Sequence, residues 1–144
     1  NPANTDSGRL LSNWERVDTR GFAKLGTGLT ESSGVYSFPS TGHYLIQFIA
    51  FLSNSNAEER FCKAFIEVTE DNSSFNSAND TRTSLAGGSG QRNGSIHCSH
   101  VFDVTNTTND KFKVGVDHSD SNTTIMGDSN TSETYIIVTK LAET

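Results

Sequence analysis

Residues 43–52, HYLIQFIAFL, constrain this chain more than any other stretch. Read as a strand, they put Tyr44, Ile46, Phe48 and Ala50 on one face and Leu45, Gln47, Ile49 and Phe51 on the other. A strand in a two-layer sandwich turns one face to the core, and its other face should be polar. Here both faces are mostly apolar, and residues 134–141, TYIIVTKL, repeat the anomaly. A chain of 144 residues has little protein to spare for covering a second face. An interface between copies, made of Leu45, Gln47, Ile49, Phe51, Ile136 and Val138, is the economical solution. The alternative is cover by the N-terminal segment. Full burial stabilises each large apolar side chain by roughly 1.5–3 kcal/mol, and an uncovered row would be adhesive.

The rest of the chain reads as further strands between polar loops. Residues 34–38 (GVYSF) form a short strand ended by the turn PSTG. Residues 95–104 (SIHCSHVFDV) place Ile96, Cys98, His100, Phe102 and Val104 on one face. Residues 111–117 (KFKVGVD) turn Phe112, Val114 and Val116 inward and Lys111, Lys113 and Asp117 outward; TTIM (123–126) is a short strand. Residues 59–69 (ERFCKAFIEVT) fit a helical stripe and a strand face alike, and the β-rich surroundings favour the strand. Thr, Val, Ile, Phe, Tyr and Trp number 45 against 8 Leu, which supports strands throughout. Residues 70–93 hold few apolar side chains and are expected to be a long polar loop. Residues 1–12 are polar and linker-like, expected to be a tether cut from something longer. Residues 13–144 then make one domain, an all-β, two-sheet antiparallel sandwich of about eight to ten strands.

Net charge is −6 and the eleven basic residues are scattered, which argues against a nucleic-acid backbone as partner. No apolar run approaches the roughly 20 residues of a membrane-spanning helix. The two cysteines, Cys62 and Cys98, form no CxxC motif; two buried thiols and one cross-strand disulfide both remain open. Six Asn-x-Ser/Thr sequons reflect a chain rich in these residues more than a secretory origin.

Chemical motifs are sparse. There is no G-x-S-x-G and no phosphate-binding P-loop, so the expectation is a protein that is not an enzyme. His97 and His100, three apart on a strand, point to opposite faces and cannot share one metal, which leaves a metal-binding enzyme a minor alternative. Asp117, Asp120 and Asp128 gather oxygen ligands around DHSDSN and form a candidate Ca²⁺ site, without the spacing of an EF-hand. No other cofactor is expected. Phe75, Asn122 and Asn130, in polar loops, are candidates for surface recognition.

The run GVYSFPSTGHYLIQF (34–48) resembles the strand pair of the tumour-necrosis-factor-like and complement-globular-head superfamily, through Gly34, Tyr36, Phe38, Gly42 and Tyr44; Ile46 stands where an aromatic is usual. TYIIVTKL resembles that superfamily's last strand. The phrases TESSGVYSFPSTGHYL, TEDNSS and FDVTNTT resemble modules of structural proteins of marine bacteriophages. The resemblance implies a jelly roll assembled as a homotrimer, with residues 43–52, 111–117 and 134–141 lining the threefold axis. The charged outward residues of 111–117 depart from it. The function implied is the non-enzymatic head of a phage fibre or virion-surface protein, serving assembly and recognition of a host-surface glycan or protein. A secreted, extracellular complement-head-like recognition or signalling ligand is the alternative.

Overall fold

The computed structural model describes residues 3–6, 8–22, 24–55 and 58–144. Among them there are eleven strands and no helix: β1 Ala3–Asp6, β2 Arg9–Ser12, β3 Thr30–Ser32, β4 Val35–Ser37, β5 Gly42–Ser55, β6 Glu59–Thr69, β7 Asn76–Leu85, β8 Gln91–Val104, β9 Lys111–His118, β10 Thr123–Met126 and β11 Tyr135–Ala142. All pairings are antiparallel. In the seven-stranded sheet, β6 lies between β7 and β9, and the far edge of β9 is shared by β4 and β2, which carry β3 and β1. In the four-stranded sheet, β5 has β8 on one side and shares its other edge between β11 and β10. The two sheets pack face to face as a β-sandwich.

Alternation explains the core. The even residues of β5, from Tyr44 to Leu52, are buried and face Phe112, Val114 and Val116 of β9 and Cys62, Ala64 and Ile66 of β6. The aromatics of residues 34–48 tie the layers together. Phe38 lies 5.5 Å from Phe112 in one sheet and 4.7 and 5.8 Å from Tyr44 and Phe102 in the other, measured between ring centroids. Tyr36 stacks on Phe112 at 4.8 Å, and Trp14 meets Tyr36 edge-on. The Tyr44 hydroxyl donates to the Ser40 carbonyl, which pins the turn before β5.

Residues 59–69 are a strand throughout. Phe65, one of the residues of the helical stripe (with Phe61, Ala64 and Val68), sits on the outer face yet is only 5% exposed. Its ring lies over Gly115 of β9, where any Cβ would collide with it, and beside Gly8. Gly8 takes a left-handed φ of 82° and its carbonyl accepts from the Val116 amide at 2.8 Å.

That contact corrects the tether expected over residues 1–12. β2 pairs with β9 at Arg9 and Gly115, Leu10 is fully buried, and Arg9 holds Glu67 through two hydrogen bonds of 2.6 and 2.9 Å. The long polar loop expected over 70–93 is also corrected. Its middle is β7, an edge strand pairing with β6 alone and largely exposed on both faces, and its last three residues open β8. Such a strand needs no apolar alternation, and its polar side chains discourage edge-to-edge aggregation.

Candidate functional site

The outer face of the four-stranded sheet is the surface the sequence singled out. Register fixes its members. Leu45 of β5 lies between Val101 and Thr139, Gln47 between Ser99 and Ile137, and Ile49 between His97 and Tyr135; Phe51 lies opposite Ser95 and Met126. Leu45, Gln47, Ile49, Phe51 and Tyr135 are half-buried, while Val101 and Ile137 are 53% and 47% exposed. At the end of the row His43 faces Asp103, with Nε2 3.7 Å from the carboxylate. The result is an apolar strip along β5 and β11, joined by Val101 of β8, with Gln47 in its middle and Ser95, His97 and Ser99 along the β8 side. Val101 and Ile137 are its most open apolar members.

Two expectations change here. Ile136 and Val138 pair with Phe48 and Ile46, point inward and pack against the core. Tyr135 and Ile137 take the outward positions instead. Residues 111–117 cannot line the same surface, because β9 belongs to the other sheet. β8 is the third strand of the face and contributes Val101.

The three carboxylates of the calcium candidate do not converge. Asp117 faces Lys63 at 3.6 Å. Asp120 accepts from the backbone and side-chain amides of Asn122. Asp128 accepts from the amides of Asn130 and Thr131. Each is used within its own loop or strand pair, and no group of three His, Cys, Asp or Glu side chains suited to a metal ion occurs among the described residues. Asn122 and Asn130 are exposed in the loops flanking β10. Phe75 is half-buried just before β7, with the Lys113 ammonium 3.9 Å from its ring centroid.

One polar centre escaped the sequence reading. Glu59, at the start of β6, is fully buried. Its carboxylate accepts from the amides of Phe61, Ser119 and Asp120 and from the hydroxyls of Ser119 and Thr123, at 2.5–3.1 Å. Asn54 donates to the Thr123 hydroxyl behind it. Burial alone would raise the Glu59 pKa, but these donors outweigh burial and hold it at about 2. The arrangement locks the β9–β10 loop onto β6. Sequence offers little signal for it: Glu59 is one of four charged residues in β6, alongside Arg60, Lys63 and Glu67, and nothing in the pattern marks it as the buried one.

The cysteines are both free and buried, on β6 and β8. Burial, helped by the charges of Glu59 and Asp80 respectively, pushes each thiol up to about 12 and keeps it neutral. His97 is exposed on the outer face, whereas His100 points inward near Phe102, and burial lowers its pKa.

No protein-family model matches the chain, and no curated protein matches it either.

Proposed function

We propose that this chain is a non-enzymatic structural module that assembles as a homotrimer through the outer face of its four-stranded sheet. In this reading it is the head of a phage fibre or other virion-surface protein. The observation that carries the self-association is the outward-facing row Leu45, Ile49, Phe51, Val101, Tyr135 and Ile137, six apolar residues on three adjacent strands, of which Val101 and Ile137 are open to solvent. A second copy is an economical cover, because the same strip can meet itself around a rotation axis. Three-fold rather than two-fold symmetry, and the virion setting, rest on the resemblance of residues 34–48 to the tumour-necrosis-factor-like superfamily. Assembly through this face leaves the seven-stranded sheet free for recognition.

The test is an aspartate placed in the strip. Ile49→Asp is expected to reduce the native mass to that of one chain and leave the far-ultraviolet spectrum of a β-sandwich. Phe22→Asp, at an exposed apolar residue off the sheets, is expected to leave the mass unchanged. An Ile49→Asp protein with the parent mass and stability would refute the assignment of this face.

A further inference from the structure

The outer face of the seven-stranded sheet holds a groove of about 290 Å³ between β3–β4 and the turn that precedes β7. Its floor comes from sheet register. Thr30 pairs with Ser37, Ser32 with Val35, and Ser37 with Lys111, which puts these side chains on the face opposite the buried Tyr36 and Phe112. Asn72 and Phe75 form the other wall, and Lys111 Nζ donates to Asn72 Oδ1 across the groove. The lining is therefore three hydroxyls, the Val35 side chain, an amide, an ammonium and an aromatic ring.

Charge makes this groove unusual in a chain of net −6. Among the described residues neither Lys111 nor Lys113 forms an ion pair. Glu67, across from Lys113, is held by Arg9; Asp110, before Lys111, accepts from the Thr105 and Asn106 amides; and Asp71 accepts from Thr69, Ser73 and Ser74 within its own turn. Two lysines thus stand outside any ion pair beside an aromatic ring and a set of hydroxyls.

We propose that the groove binds one acidic sugar unit of a surface glycan. Lys111 receives the carboxylate, the hydroxyls of Thr30, Ser32 and Ser37 bond the ring hydroxyls, and the apolar side of the sugar ring rests on Phe75 and Val35. Lys113 holds the Phe75 ring and adds positive charge. The volume lies just below the roughly 300–1,000 Å³ of drug-sized small-molecule sites, which suits a single ring. An acidic peptide would use the charge but not the hydroxyls. The site deepens the recognition half of the proposed function and rests on that reading only for its biological setting. It lies on the sheet opposite the self-association face, so it is open in either oligomeric state.

Saturation-transfer NMR on the full chain tests this, with N-acetylneuraminic acid and galacturonic acid as probes and galactose and hexaglutamate as comparisons. Both acidic sugars should take up saturation and galactose at least fivefold less. Lys111→Gln and Phe75→Ala should each weaken binding about tenfold. Thr30→Tyr, on the exposed edge strand, should block it by filling the groove, all three variants keeping the parent melting temperature. Ile49→Asp should bind as the parent does, which separates failure of this site from failure of the assembly reading. Absence of transfer to both acidic sugars, equal transfer to galactose, displacement of the sugars by hexaglutamate, or retention of binding in the variants would overturn the proposal.

Discussion

Removing the Glu59 carboxylate should be among the most damaging single changes in this chain. Five donors converge on it, and Glu59→Ala strands them together. Ser119 is exposed and can turn to water, but Thr123 is buried and the Phe61 and Asp120 amides are partly so. A hydrogen bond to a charged group is worth about 1.5–3 kcal/mol, and a stranded buried donor costs about 1–3 kcal/mol. With two or three donors left unpaired, the expected loss is about 3–5 kcal/mol, a large part of the roughly 5–15 kcal/mol that holds a domain folded. Glu59→Gln keeps one good acceptor but aims an amide at other donors, and should cost about 2–3 kcal/mol. The pH dependence follows from the pKa, lowered from 4.5 to about 2 on folding. A depressed carboxylate contributes its full stability above the unfolded value and loses it as pH falls through the folded one. The gap between parent and Glu59→Gln should therefore be widest above pH 5 and close towards pH 2. Urea unfolding followed by circular dichroism, at one fixed chain concentration and several pH values, measures it. A Glu59→Ala loss below about 1 kcal/mol, or a gap that does not change with pH, would refute the latch.

Other consequences are as concrete. Leu10→Ala should cost about 2–5 kcal/mol in the same unfolding assay, the usual range for truncating a buried leucine; a tether would show no change. Both thiols should resist an aromatic disulfide reagent at pH 8 in the native protein and react fully in guanidinium, because burial holds them neutral near 12. Early labelling of either in the native state would contradict its place in the core.

The strands legible in phase as well as in position are those whose alternation has one apolar and one polar phase, such as β9 with Phe112, Val114 and Val116 against Lys111 and Lys113. β7 was illegible because an exposed edge strand has no buried face to mark. β11 was legible as a strand but not in phase: Tyr135, Ile136, Ile137 and Val138 are all apolar, and only pairing with Phe48 and Ile46 shows which two face the core. The N-terminal hairpin was hidden because one buried residue, Leu10, and one packed glycine, Gly8, carry its attachment. The outer face was half visible for a related reason. Leu45, Ile49 and Phe51 stood out on their own strand, whereas Val101 and Tyr135 join them only through register. The carboxylates of the calcium candidate do not converge, because Asp117 faces Lys63 from β9 while Asp120 and Asp128 each cap their own loop.

Absolute mass in solution, by light scattering coupled to size exclusion, tests the central claim most directly. The account predicts a mass of three chains of 15.6 kDa, unchanged on dilution into the micromolar range. A mass of one chain would mean that the strip of Leu45, Ile49, Phe51, Val101, Tyr135 and Ile137 stays exposed to water, and would contradict self-association through this face.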